Sequence, residues 1–295
     1  MEAEFNDTTY NTDYYDDRDF TGFQHYIKEY MDMHYIFYVV TCIIISIGLL
    51  LMLVTIYALL SLVRQGQVAP IYVINLLISD IIQLCCLIAR VSEHDTYMAY
   101  AVYYWVLFSS VGFMVCISLE RYLVIVHPLW YRFKRTIKIS VAVCAVVWAF
   151  PPVCLLIMFS WATYMVEFMV FSIILIIPFP LFIFFLVRTL RALSSSVSVH
   201  SDEKRRIVGT LVVVLLIYTL LFLPIIIRFL LQATGFYSFK LDFASDAFVS
   251  LSPLADLLLY IFIRKQTMGN CLASVCCCIK ESNDPTASAV TVDDI

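Results

Sequence analysis

Charge is what this 295-residue chain has least of: Asp, Glu, Lys and Arg make up 14% of it, against 62% apolar residues. A soluble domain carries about a quarter charged residues, so a water-soluble single core is excluded. Cysteine is absent from every expected loop on the N-terminal side of the membrane. Cys42, Cys85, Cys86, Cys116, Cys144 and Cys154 sit in apolar stretches, and Cys271, Cys276, Cys277 and Cys278 follow the last one, so no disulfide framework is expected. No His-x-x-x-His pair or other ligand-spaced cluster falls inside an apolar stretch, which excludes a metalloenzyme or membrane hydrolase and leaves no catalytic residue to name. A removable leader would need a charged segment, a short apolar core and a small-residue cleavage site. None precedes the first apolar stretch, so the first helix is expected to serve as the insertion signal.

What the chain does have is apolar length. About 20 apolar residues cross roughly 30 Å of hydrocarbon, and seven stretches qualify: 35–63, 70–91, 98–126, 137–160, 164–193, 207–231 and 243–263. The expected fold is all-α, a seven-transmembrane helix bundle over residues 35–263, with an acidic tail at 1–34 and a second tail at 264–295. Basic loops stay cytoplasmic. Arg64, Arg121, Arg132, Lys134, Arg135, Lys138, Arg188, Arg191, Lys204, Arg205, Arg206, Arg264, Lys265 and Lys280 fall on one side, and Arg18, Lys28, Arg90, Arg228 and Lys240 on the other. This places the N-terminus outside and the C-terminus in the cytoplasm of a multi-pass plasma-membrane protein. Pro151, Pro152, Pro178, Pro180, Pro224 and Pro253 each remove a backbone donor within helices four to seven, and kinks are expected there.

Ionisable residues inside spans are costly, and each is a functional candidate beside a plainer reading as an interhelical hydrogen bond. Asp80 lies midway along the second stretch and Asp256 in the inner half of the seventh, with Ser110 and Ser252 as hydroxyl neighbours. Hard oxygen ligands of this kind suit a small cation such as sodium. Glu120-Arg121-Tyr122 closes the inner end of the third stretch, where release of an acid–arginine pair frees a five-donor guanidinium for a partner's backbone carbonyls.

Together these residues resemble the rhodopsin-like G-protein-coupled receptors across all seven stretches and the adjoining tail. Asn75 to Asp80 resembles the second-helix Asn-Leu-x-x-x-Asp element. Glu120-Arg121-Tyr122, running on through Leu123 to Pro128, resembles the Asp/Glu-Arg-Tyr motif. Trp148 stands at the fourth-helix tryptophan, Pro178 and Pro224 at the fifth- and sixth-helix prolines, and Asp256 to Tyr260 at the seventh-helix Asn/Asp-Pro-x-x-Tyr element. The resemblance implies a ligand in the outer half of the bundle and an outward swing of the sixth helix. It also implies insertion of a G-protein α-subunit helix near Arg121, with arrestin as a second partner. It assigns Asp80, Ser110, Ser252 and Asp256 to a sodium-linked pocket, switch roles to Phe222, Pro224 and Tyr260, and mere packing to Met114, Ile117 and Leu220.

Several positions depart from the family. Thr96 replaces the third-helix cysteine, Met52 the first-helix asparagine, Phe222 the sixth-helix tryptophan, Leu257 the proline after Asp256, Leu186 a fifth-helix tyrosine and Lys204 an acidic lock partner. The stretch Glu120 to Ile139, with His127-Pro128-Leu129-Trp130-Tyr131, is similar to the branch holding proton-sensing, purinergic, lipid-mediator and Mas-related receptors. Loss of the disulfide is similar to the Mas-related group. Proton sensing calls for clustered outer histidines, and only His25, His34 and His94 lie outside. A retinal Schiff base needs a seventh-helix lysine, and residues 243–263 contain none.

For the ligand, Tyr100, Tyr103 and Tyr104 share a helical face. Such a stripe also reads as interfacial belt, but the resemblance points Tyr103 and Tyr104 into the cavity, along with Arg90, Asp246 and Phe222. An amphipathic or anionic ligand paired with Arg90 is one expectation. Arg228 reads rather as snorkelling to headgroup water. Asn6-Asp7-Thr8 is a glycosylation sequon; Tyr10, Tyr14 and Tyr15 are sulfation candidates within a tail that reads as disordered. Cys276, Cys277 and Cys278 suit palmitoylation. The alternatives to a signalling receptor are a receptor-like protein that binds or scavenges ligand without G-protein exchange and, more remotely, a small channel or transporter.

Overall fold

The computed structural model describes residues 17–64, 71–92, 96–129, 131, 137–161, 164–195, 201–257 and 259–260. Every regular element among them is helical: α1 (Asp17–Arg64), α2 (Ile71–Val91), α3 (Thr96–Val126), α4 (Ile137–Trp161), α5 (Tyr164–Ile176), α6 (Pro178–Ser195), α7 (Ser201–Ala233) and α8 (Phe239–Ser250). Hydrocarbon offers backbone N–H and C=O groups no partner, so runs this apolar must satisfy them internally. Six spans among the described residues are long and apolar enough to cross a bilayer, α5 and α6 together forming one of them. The seventh crossing is α8 continued by helical residues 252–257.

The helices are arranged around a central one: α1 packs on α2 and α8, α2 on α4, α5 and α6 on α7, and α7 on α8. In the middle stands α3, which touches α2, α4, α6 and α7. Its middle turns are therefore buried on all sides, with Tyr103, Leu107, Phe113, Met114 and Ile117 each at most 2% exposed. By contrast α4 turns Val141, Val146, Phe150 and Leu156 outward. Leu220 also faces outward at 64% exposure, a correction to the packing role expected for it; it sits on the rim of α7 that neighbouring helices leave uncovered.

Two of the expected proline kinks are breaks. Pro178 takes the first position of α6, where a missing N–H costs nothing, and Ile177 forms the turn before it. Leu251 interrupts the seventh crossing two residues before Pro253, donating to Phe248 O rather than continuing the α-helical pattern. At Pro151, Pro152 and Pro224 the helix runs on.

The larger departure is at the N-terminus. The acidic stretch expected as a solvated tail to residue 34 is helical from Asp17, and α1 has 48 residues. At 1.5 Å per residue that is about 72 Å, more than twice the hydrocarbon thickness. The extra turns dock on α8. Tyr26 and Tyr30 meet Phe239, while Tyr30, His34 and Phe37 meet Phe243 at 5.5, 6.2 and 5.9 Å between ring centroids. Lys240 and Glu29 form an ion pair over the same contact.

Close approach of α3 and α4 depends on Gly112, where an added Cβ would stand 2.7 Å from Val147 Cγ1. Valine is stiff at χ1 and cannot swing aside cheaply. Gly112→Ala is expected to lower stability by about 1–3 kcal/mol, read as a fall in the thermal midpoint of the detergent-purified protein. Adding Val147→Ala should restore most of the loss; no recovery would mean the contact is not the cause.

Candidate functional site

At one end of the bundle α3, α5, α7, α8 and the docked turns of α1 enclose a cavity of about 590 Å³, large enough for a drug-sized ligand. Its polar centre is an ionic knot. Arg228, on α7 and only 8% exposed, donates from Nη1 to Asp246 Oδ1 at 2.7 Å and from Nη2 to the Tyr104 hydroxyl at 2.7 Å. Its Nε lies 3.8 Å from Asp242 Oδ1, which also accepts from Gln232 at 3.0 Å. Asp246 Oδ2 takes the Tyr100 hydroxyl at 2.8 Å and lies 3.6 Å from Arg90 Nη2. Arg90 itself stacks over the Tyr100 ring at 4.1 Å and donates to the Tyr100 hydroxyl at 2.8 Å.

Each contact has a local cause. Tyr100 and Tyr104 lie one turn apart on α3 and so face the same way. Arg228 and Asp246 flank the turn between α7 and α8, where Gly235 takes a φ of 83° open to glycine. Asp242 lies in the first turn of α8.

The structure sorts the expected ligand residues. Tyr104 and Asp246 line the cavity. Arg90 stands behind Tyr100, already held by it and Asp246. Tyr103 is packed away at 2% exposure, edge-on to Tyr104 at 5.8 Å. Phe222 does not reach the cavity: fully buried, it stacks on Tyr218 at 4.6 Å, and the Tyr218 hydroxyl donates to Leu175 O at the end of α5. Arg228 corrects the snorkelling expectation outright. Three partners wait for it inside the bundle, and none of them is headgroup water. Tyr100, from the tyrosine face read in the sequence, and Glu167, near an outer helix end, also belong to the lining, as do Gln232 and Asp242, which the sequence did not single out as ligand residues.

Deeper in the bundle Asp80, Ser110, Ser252 and Asp256 are each at most 1% exposed. The two carboxyl groups are neighbours, and their four oxygens have no donor among the described residues. Ser110 donates to Leu107 O, and Ser252 donates to Gln83 Oε1 at 2.8 Å; both hydroxyls keep lone pairs free. Adjoining carboxyls sealed from water require a compensating cation or proton. Two adjoining carboxyl groups without donors are compatible with a small hard cation.

At the opposite end Glu120 accepts from the Tyr131 hydroxyl at 2.5 Å. Tyr122 is buried against Phe185 at 5.4 Å, beside Leu211 and Leu186. The motif is thus anchored on both sides of Arg121. Pro224 lies within α7, and Leu257 and Tyr260 are buried. Between the ends, Trp148 Nε1 donates to Asn75 Oδ1 at 3.0 Å, tying α2 to α4. The cysteines described are all free thiols. Asn6, Tyr10, Tyr14, Tyr15, Cys276, Cys277 and Cys278 lie outside the described residues.

Residues 52–167 match the family 7 transmembrane receptor (rhodopsin family). Human G-protein coupled receptor 68 is 33% identical over 90 residues, covering 27% of this chain and 25% of that protein. Bovine Lysophosphatidic acid receptor 5 is 28% identical over 131 residues, 41% of this chain and 36% of that protein. Mouse Mas-related G-protein coupled receptor member B5 is 31% identical over 96 residues, 30% of this chain and 29% of that protein. The matched segments span between 25% and 36% of these relatives' own length. The chain is a multi-pass helical bundle with a cavity at one end, and its residues 52–167 are similar to the rhodopsin family of seven-transmembrane receptors.

Proposed function

We propose that the chain is a receptor that binds an extracellular ligand in the cavity beside Arg228 and Asp246 and activates a heterotrimeric G protein at the Arg121 end. The observation that carries this reading is the layout of α3. Tyr104 touches the cavity near its start and Arg121 lies near its end, about 25 Å away at 1.5 Å per residue. One rigid helix thus joins a ligand-sized cavity to an arginine motif. The loop charge bias supports an N-terminus outside and a cytoplasmic Arg121 end. Relatives whose names read G-protein coupled support the coupling. Arrestin would compete for the same cytoplasmic surface, and Asn6 glycosylation and palmitoylation at Cys276, Cys277 and Cys278 are consistent with that orientation.

Asp80 and Asp256, with Ser110 and Ser252, would hold a sodium ion between the two ends, where the ion supplies the charge that two adjoining carboxylates need. These residues come from α2, α3 and the seventh crossing, which such an ion would hold together.

The test is nucleotide exchange on a panel of purified heterotrimers added to membranes bearing the protein. At least one heterotrimer is expected to exchange faster than with matched empty membranes. The competing reading, a receptor-like protein that binds or scavenges without coupling, draws on Phe222, Leu257 and Leu186 at switch positions. Ligand uptake with no exchange by any heterotrimer would establish it instead.

A further inference from the structure

We propose that the cavity selects a monocationic ligand, an ammonium or guanidinium group on an aromatic or alkyl body, and that Glu167 is the residue that pairs with it. The inference rests on the proposed reading only in taking this cavity as the ligand site. It sets aside the anionic ligand that the sequence suggests for Arg90.

Charge bookkeeping inside the cavity carries the argument. Three carboxylates line it, Glu167, Asp242 and Asp246, against one cation, Arg228. That cation is already paired. Both terminal nitrogens of Arg228 are hydrogen-bonded at 2.7 Å, and its Nε, which has no hydrogen-bond partner among the described residues, lies 3.8 Å from Asp242. Arg90, the next cation, is outside the lining and is held by Tyr100 and Asp246. An anionic group entering here would have to break a desolvated ion pair before gaining a partner of its own.

A cation meets the opposite situation. Asp246 and Asp242 are compensated by the two arginines and Gln232, whereas Glu167, in the first turn of α5, has no hydrogen bond or ion pair among the described residues. It lines the same cavity as Phe168, Phe171, Phe229, Phe239 and Phe243. Aromatic faces carry negative potential that attracts a cation and repels an anion. One uncommitted carboxylate among aromatic rings is the chemistry of ammonium recognition.

The experiment uses the full-length purified protein in detergent and a set of fragments in matched pairs, each aromatic or alkyl body carrying either an ammonium or a carboxylate. Binding is read by thermal shift and ligand-observed magnetic resonance, with alkyl phosphates of the same bodies as a third arm. Ammonium members are expected to bind at least tenfold more tightly than their carboxylate and phosphate twins. Glu167→Gln should weaken them at least tenfold while leaving the thermal midpoint of the free protein unchanged, and Glu167→Asp should retain part of the affinity. An even split, tighter binding of the anionic twins, no binding by any member, or ammonium binding indifferent to Glu167→Gln would overturn the proposal. The assay contains no G protein. Ammonium binding without nucleotide exchange would therefore count against coupling alone, and exchange with anion-selective binding against the cation preference alone.

Discussion

Asp246→Ala is expected to destabilise the protein by about 3–5 kcal/mol, the cost of leaving a buried guanidinium without its counter-ion. Asp246 accepts from Arg228 at 2.7 Å and from Tyr100 at 2.8 Å and lies 3.6 Å from Arg90, so its loss strands charge on two helices at once. The carboxylate is 12% exposed and Arg228 9% at the side chain, which leaves little water to compensate. The loss should appear as a lower thermal midpoint and lower surface expression. The double variant Asp246→Leu with Arg228→Met removes both charges and should be much closer to wild type, because apolar replacement of a whole buried pair is often neutral. A single variant within 1 kcal/mol of wild type would show that the pair is hydrated after all and that Arg228 reaches the headgroup region.

Asp80→Asn carries the second large effect. A ligand that binds only the folded state stabilises it by RT ln(1 + [L]/Kd), about 2.7 kcal/mol at a hundredfold excess over Kd. Replacing potassium chloride by sodium chloride at constant ionic strength is therefore expected to raise the thermal midpoint of the wild-type protein. The same exchange should leave Asp80→Asn unmoved. Asp80→Asn itself relieves the apposition with Asp256 by supplying an amide donor, so without sodium it should be at least as stable as wild type. A sodium response that survives the substitution would place the cation elsewhere; none in either protein would leave a shared proton as the compensating charge.

The spans were legible because hydrocarbon imposes one rule on every crossing, and Ile71–Val91, Thr96–Val126 and Ile137–Trp161 fall within two residues of their expected bounds. The N-terminal turns of α1 were not, because acidic composition reads as solvated chain. A signal was present nonetheless: Tyr26, Tyr30, His34 and Phe37 recur at helical spacing and form the face that meets α8. In the candidate site, Asp80 and Asp256 were readable because a carboxylate within an apolar run has few explanations. Arg228 was not. An arginine near a helix end snorkels or pairs according to what other helices place beside it, and Tyr104 and Asp246 come from elsewhere in the chain. Phe222 followed its family position into the expected cavity, whereas its stacking on Tyr218, one turn away on the same helix, holds it in the core.

In the proposed receptor, Arg121 is the residue that couples the bundle to a G protein. The direct measurement compares nucleotide exchange by a responsive heterotrimer in membranes bearing wild type or Arg121→Ala at matched surface expression. Exchange is expected with wild type, and its loss, tenfold or more, in the variant. Equal exchange by the two proteins would contradict that role.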